Sequence, residues 1–462
     1  MDKLIITSAD GHAVIPPELW AKYLDSQYHK YLGQLRADKE MFSATVGLLH
    51  DRMLSPEAQK IFDKEKAYGS GGWEGLWSLK TRIKEMDREG VAAEFVFPGD
   101  QHAIDIFWNT TNGTYALPAL DAGARAYNRW SFDEFGAGRD RLLLIGAPIT
   151  GLDMTASLAE LDWLAAHGFT GQYTPGYCSV PGQIPVYDSY WDPLWAACAE
   201  RNLVLISHAG WGLPQGYMHA EMSAAAAEAK AEGGGQNEVI DKLMKGIFNE
   251  KGVFADLRSR QSMWLMMLSG VFDRHPTLKV MMTEIRCDWI PATLGLLDRV
   301  WEQNRHKLPA KRRPSEYWRS NCMAGLSFMN KAEVGLRHGV GVDRMAFGRD
   351  YPHTEATWPN TLQYLSDLFR GVPENEVRAI MGENLIRFLG LDRAKLAAIA
   401  ARIAPTYRQI AEGPSLDPAL KSHLDMRCGF SNPAEGASRV PEMEAMLTPD
   451  IPRIAAAALA FQ

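Results

Sequence analysis

The sequence predicts an α/β protein built as a TIM-like (β/α)8 barrel with insertions and a C-terminal extension, and three observations carry that expectation. Eight short apolar runs alternate with helical patterns along the first 390 or so residues. The runs are nearly continuous rather than alternating in polarity, as strands buried on both faces are. Residue types that bind metals stand just past runs from the beginning, middle and end of the chain: Asp10 and His12 after LIITSA, His208 after LVLIS, Asp350 and His353 after MAFG. Side chains so distant in sequence converge when the strands close into a ring, whose C-terminal rim gathers them. An open doubly wound sheet is the alternative. Eight units with ligand-type ends at strands one, five, six and eight favour closure.

Taken in order, strand one is LIITSA, residues 4–9, followed by a long polar, glycine-containing stretch over about residues 35–80. The helix KTRIKEMDREG leads to strand two, VAAEFVFP, which is expected to end at Asp100 and His102. Helix ALPALDAGARAYNRWSFDEFG precedes strand three, RLLLIGAPI; helix MTASLAELDWLAAHG precedes strand four, FTGQYTP; helix SYWDPLWAACAERN precedes strand five, LVLISHAG. Strands six to eight are LKVMMTE, CMAGLSF and RMAFGRD. Alternation of strands with helices predicts a parallel sheet. Residues 212–250 break the repeat with an Ala-rich helix and three glycines, Gly233 to Gly235, and read either as a lid or as a solvent helix with a loose turn. The barrel is therefore placed at residues 1–392, with insertions at about 35–80 and 212–250, and a C-terminal extension at 393–462 that wraps the barrel or meets a neighbouring subunit.

Composition sets the class of partner. A net charge of -7, a pI near 6.0 and scattered basic residues argue against nucleic acid and for a small-molecule substrate. No apolar run approaches the roughly 18 residues that cross a bilayer. The opening MDKLIITSAD enters a strand without a leader-like apolar run, and the five cysteines are scattered with no C-x-x-C pair. Both features predict a cytoplasmic protein with reduced thiols.

Asp10 and His12 lie two apart at a strand end, so both side chains point to one side and offer a carboxylate and an imidazole to Zn, Mn or Fe. Their bland alternative is a turn cap and a histidine held by backbone. His208 precedes AGWG, where glycines bend the chain away, and Asp350 after the last strand is either a ligand or a general base. His353 is read as a substrate contact, a second-metal ligand or a partner of Asp350. Glu284, at the end of strand six, must face a cation, either a metal or Arg286. His102 is a weaker ligand candidate. Tyr173, Thr174 and Trp211 are wall positions, where packing competes with substrate contact. His29, His50, His167, His219, His275, His306, His338 and His423 fall in predicted helices, loops or turns and are read as surface residues.

The segments SADGHAVIPPELW, RIKEMDREGVAAEFVFP, LVLISHAG, FDRHPTLKVMMTEIRCDWIP and MAFGRDYPHTEATWP together resemble the amidohydrolase superfamily over residues 4–392. The likeness is to the amidohydrolase-related group that includes aminocarboxymuconate semialdehyde decarboxylase and dihydroxybenzoate-type decarboxylases. That resemblance implies a metal held by H-x-H after strand one, a His after strand five and an Asp after strand eight. His12, His208 and Asp350 match; Asp10 stands where the first His is usual, and Glu284 falls near a position often taken by His. The carboxylate-rich set shifts preference from Zn toward Mn or Fe. No lysine ends strand four, at Gln172-Tyr173-Thr174, which argues against a carbamylated-lysine bridge.

The leading expectation is an enzyme with one divalent transition metal that acts on a small organic acid by decarboxylation or by hydrolysis, with Asp350 managing the proton and His208 both ligand and neighbour of the developing oxyanion. The alternatives are a dinuclear Fe/Mn oxygenase, its second ion held by Glu284, His353 and His102, and a metal-binding subunit without activity. The resemblance implies a homodimer, or a hetero-oligomer with a related subunit.

Overall fold

The computed structural model describes residues 3–40, 53–99, 115–179, 182–243 and 257–459. Eight parallel strands run in chain order around one nearly closed barrel: β1 (Ile6–Ser8), β2 (Val91–Pro98), β3 (Leu142–Gly146), β4 (Gly171–Tyr173), β5 (Val204–His208), β6 (Val280–Thr283), β7 (Cys322–Ser327) and β8 (Met345–Gly348). At the seam between β8 and β1, the Ala9 amide donates to the Phe347 carbonyl at 2.7 Å and Gly11 bridges Tyr351. A short continuation of β1, His12–Ala13, pairs with Phe97 and Pro98. The predicted barrel is the observed fold, and each predicted strand is present.

Sequence explains the local choices. Every residue of β2 and β5 is buried, as uninterrupted apolar runs require. The helices outside begin where short polar side chains satisfy free amides: Ser78 before α1 (Leu79–Arg88) and Asp153 before α3 (Met154–Ala166) each accept from the third residue on. Between them in sequence lies α2 (Leu117–Phe135), and α4 (Asp192–Glu200) leads into β5.

Some expectations need correction. Strand two ends at Pro98 rather than at His102; Asp100 and His102 lie outside the described residues. The stretch after residue 53, read as polar, forms a helix at Pro56–Phe62 and a turn at Gly72–Leu76, and buries Met53, Phe62 and Leu76 in the core. His423 is buried, stacked on Phe62 with ring centroids 5.1 Å apart. The Ala-rich insertion forms α5 (Tyr217–Ala231) and α6 (Gln236–Leu243), linked by Lys242 Nζ, 2.9 Å from both Glu228 and Glu232. After it come α7 (Leu257–Leu268), α8 (Ile290–Asn304), α9 (Pro314–Asn321) and α10 (Thr361–Leu368).

The C-terminal extension packs on the barrel. Helix α11 (Arg393–Ile403) buries Leu396, Ile399 and Ala400, and the Leu4 amide donates to the Pro405 carbonyl at 2.9 Å. Beyond α12 (Pro418–Cys428), α13 (Val440–Leu459) places Asp450 where Gln261 and Trp264 of α7 donate to it at 2.8 and 3.3 Å. No helix among the described residues is long and apolar enough to cross a membrane.

Candidate metal centre

Six side chains from the C-terminal ends of four strands meet at the barrel mouth: Asp10 and His12 after β1, His208 at the end of β5, Glu284 after β6, Asp350 and His353 after β8. They form two overlapping sets, Asp10–His12–His208–Glu284 and His12–Glu284–Asp350–His353, within each of which one donor atom per residue lies within 4.8 Å of the others. His12 Nε2 is 3.3 Å from Asp10 Oδ1 and 3.1 Å from Asp350 Oδ1. His208 Nε2 lies 2.9 Å from Glu284 Oε2 and 3.6 Å from Asp10 Oδ1. His353 stacks on His12 with centroids 3.9 Å apart and sets Nδ1 3.1 Å from Asp350 Oδ1. All six side chains are buried.

Backbone geometry aims these groups. The short run from β1 through Gly11 presents Asp10 and His12 together, and a Cβ on Gly11 would stand 2.7 Å from Arg82 Nη2 and 2.9 Å from Glu94 Cδ. Only glycine lets the rim settle onto that buried pair. Glu284 and Asp350 both leave their strands at positive φ, 60° and 56°, a conformation that L side chains adopt only where the surroundings over-determine it. Below them, Arg349 pairs with Glu94 and, at 2.9 Å, with Glu89, while Arg82 reaches Glu94 at 2.8 Å and the His12 carbonyl at 2.5 Å. Through Glu94, this ionic floor ties Arg349, the residue before Asp350, to the Arg82 that holds the His12 carbonyl. The Ser327 hydroxyl donates to Asp10 Oδ2. His208 Nδ1–H donates to the Ala209 carbonyl at 3.1 Å, which turns Nε2 toward the centre.

Burial opposes charge on every group here, and neighbours decide the outcome. Burial pushes the Asp350 carboxyl well above the usual carboxylate range, and raises Glu284 as well. It lowers His12 to about 3, with His353 adding to the effect. Burial alone would lower His208 too, but Glu284 and Asp10 outweigh it and raise the imidazole to about 10. Asp10 goes the other way: against burial, His208 and His12 hold its carboxyl below the ordinary value.

This donor set fits a divalent cation. Asp10 Oδ1, His12 Nε2 and both Asp350 oxygens are buried without a hydrogen bond among the described residues, and three of these four atoms lie at the crowded centre. Three carboxylates and three imidazoles around one point offer hard oxygen beside borderline nitrogen, which suits Mn or Fe at least as well as Zn.

The alternative partner considered for Glu284 is not used. Arg286 turns to Asp288 instead, with Nε and Nη2 each 3.1 Å from its carboxylate. Tyr173 stands at the wall, its ring 6.1 Å from that of His208 and 5.8 Å from that of Phe97. The Trp211 indole N–H donates to the Thr174 and Pro175 carbonyls at 3.3 and 3.2 Å, so its polar edge serves the loop after β4. Sequence reasoning passed over Phe97, whose ring lies 5.1 Å from that of His208, and Ser327, Glu94, Arg82 and Arg349. A glutamate inside an otherwise apolar run, VAAEFVFP, was the available signal for the buried network.

A family model described as amidohydrolase matches residues 72–391, more than half of the chain. The chain belongs to the amidohydrolase family. The matched segment holds His208, Glu284, Asp350 and His353, while Asp10 and His12 precede it. The chain is also similar to gamma-resorcylate decarboxylase of Rhodococcus jostii (strain RHA1), 32% identical over 91 residues, 19% of this chain and 27% of that protein. The match thus spans about a quarter of that relative's length. Solved structures of similar fold include an amidohydrolase from Mycobacterium avium subsp. paratuberculosis K-10, with a TM-score of 0.58 at 18% identity, covering 84% of this chain and all of that one. A dihydroxybenzoic acid decarboxylase from Polaromonas sp. JS666, with bound manganese and the inhibitor 2-nitroresorcinol, gives 0.54 at 16% identity over 86% of this chain and 99% of its own. The 5-carboxyvanillate decarboxylase of Sphingomonas paucimobilis gives 0.52 at 16% identity, covering 84% and 99%.

Proposed function

We propose that this amidohydrolase-family chain is a divalent-metal-dependent decarboxylase of a small aromatic carboxylic acid. The buried convergence of Asp10, His12, His208, Glu284, Asp350 and His353 carries the reading. The manganese-bound decarboxylase of the same fold and the aromatic wall of Phe97 and Tyr173 support it. A bound divalent ion supplies positive charge that orients the substrate's oxygens and stabilises the negative charge left as CO2 departs. Asp10, His12, His208 and Asp350 would hold it, with Glu284 completing the set and His353 beside Asp350. Phe97 and Tyr173 form an apolar wall that excludes water from the ring face.

Asp350 manages the proton. Its Oδ1 lies toward His12 and His353, and Oδ2, buried without a hydrogen bond among the described residues, is the oxygen placed to carry the proton. As the C–C bond to the carboxylate breaks, its electron pair stays on the ring carbon, and the Asp350 proton forms the new C–H bond. Solvent protonates the resulting carboxylate before the next turnover.

The test is the Mn(II)-loaded full chain with a panel of hydroxybenzoates labelled with 13C in the carboxylate. Labelled CO2 and bicarbonate are expected, with Asp350→Asn at least about a hundredfold slower. A fully retained label together with turnover of aryl esters or amides would replace the decarboxylase with the hydrolase. The overlap of two ligand sets sharing His12 and Glu284 favours a second reading, a dinuclear Fe or Mn oxygenase. Two ions per chain by elemental analysis, with oxygen uptake, would select it.

A further inference from the structure

One short stretch of the C-terminal extension touches both of the loops that enter the site at positive φ. Arg427, near the end of α12, is 3% exposed and sends its guanidinium into the loop after β8. Its Nε donates to the Thr354 carbonyl, and Nη2 donates to the Ala356 carbonyl at 3.1 Å and the Trp358 carbonyl at 3.5 Å. These three carbonyls belong to the turn that begins at Asp350 and His353, whose own amides fold it back: His353 N to Asp350 O at 3.0 Å, Ala356 N to His353 O at 3.1 Å.

Eight residues on, Glu435 grips the other loop. Its carboxylate takes a two-pronged bond from Arg260 of α7, at 2.5 and 2.7 Å, and its amide donates to Asp288 Oδ2 at 2.6 Å. Asp288 in turn holds Arg286, whose Nη2 also reaches the Pro433 carbonyl at 3.5 Å. Glu284 and Arg286 both sit at φ 60° in this loop.

We propose that residues 427–435 form a strap that positions the metal ligands, with Arg427 fixing the Asp350–His353 turn and Glu435 fixing the Glu284 turn. Neither residue touches the cluster: Arg427 holds the carbonyls of the loop after β8, and the Glu435 carboxylate, anchored on Arg260, sets its own amide against the Asp288 side chain of the loop after β6. A planar fork on three carbonyls, and a carboxylate fork on a buried guanidinium, hold direction as well as distance, and a lysine or an amide holds it less well. Backbone held in left-handed conformation needs this over-determination. The strap lies outside the family-matched segment, which ends at residue 391, so the chain supplies it from its own extension.

The inference rests on the metal-site reading, and the experiment separates the two. Full-length protein, stripped of metal, is titrated with Mn(II) alone, and the Co(II) form is read by its visible absorption, which reports ligand geometry. Wild type is expected to bind Mn(II), and Asp350→Asn to bind it poorly. Arg427→Lys and Glu435→Gln are expected to bind Mn(II) at least about tenfold more weakly and to shift the Co(II) bands, as changes in the support of metal ligands do. Metal-free unfolding temperatures accompany each titration. If Arg427→Lys does not fold, Glu435→Gln, whose side chain is 14% exposed, decides alone. Wild type that binds no Mn(II) removes the metal reading and the strap with it. Wild type that binds, with both strap variants matching it in affinity and spectrum, overturns the strap alone, whatever their unfolding temperatures.

Discussion

Glu284 must satisfy two demands with one carboxylate. It faces His208 Nε2 at 2.9 Å, and it leaves β6 in a backbone conformation that nothing about glutamate favours. If it is a ligand, Glu284→Gln should lower Mn(II) affinity at least about tenfold, because an amide oxygen is a weaker ligand than a carboxylate. Unchanged affinity with a lower unfolding temperature would leave it as the partner of His208 only. His12→Ala should remove bound metal and activity together while the fold persists; normal metal content by elemental analysis would exclude it from the site. His423 makes a separate case, far from the ligands in sequence. Burial, helped by the Arg427 charge, lowers its imidazole from 6.5 to about 3. The unfolded chain then binds the extra proton between those values, so the stability tied to a neutral His423 is whole above pH 6.5 and is lost as pH falls toward 3. By pH 5 that loss amounts to about 2 kcal/mol. Denaturant unfolding at pH 7 and 5 should show His423→Gln losing less than wild type over the same interval. Equal losses would mean that the imidazole titrates alike in both states.

Elements differ in how plainly the sequence announces them. The strands were legible because burial on both faces leaves an unbroken apolar run, and their order followed from the helices between. All six clustered residues were legible as candidates for a related reason: a polar ligand type at the end of such a run, as with His208 after LVLIS, has little else to do there. What escaped was pairing through space. Nothing in the spacing of Arg286 and Glu284 reveals that the arginine turns to Asp288, and nothing local links Arg82 in α1 with Glu94 in β2 and Arg349 after β8. Such charges are fixed by three-dimensional desolvation, which a linear pattern does not record. Helices α5 and α6 test the element scale directly. Much of α5 is exposed, and the ion pairs of Lys242 with Glu228 and Glu232 lie at the surface, contacts worth little in water. Gly233 joins the two helices at φ 74°. Brief proteolysis should cut within residues 212–243 before it cuts the barrel, and an active-site ligand should slow that cleavage if the pair covers the mouth. Equal cleavage with and without ligand would make the pair an appendage.

At the scale of the molecule, the question is whether residues 393–462 are an attachment or part of the folding unit. Several contacts argue for the latter. The Leu4 amide, at the foot of β1, finds its acceptor in Pro405, and Lys3 bridges Thr406, so the first strand is anchored by chain that follows the barrel. Helix α11 buries Leu396, Ile399 and Ala400, and α13 buries Met443, Leu447 and Ile454. The five larger of these side chains, at roughly 1.5–3 kcal/mol each before the entropy of ordering is set against them, together bear comparison with the 5–15 kcal/mol that typically separates folded from unfolded domains. Removing them would also expose the apolar faces they cover and leave Arg260 buried opposite no carboxylate from Glu435. A chain cut after residue 392 should therefore fail to give one cooperative unfolding transition, and should be recovered aggregated or with exposed apolar surface that binds hydrophobic dyes. The measurement is calorimetry of the truncated and full-length proteins side by side. A truncated chain that unfolds cooperatively within a few degrees of the full one would make the barrel self-sufficient, and would reduce the extension to a device of the active site alone.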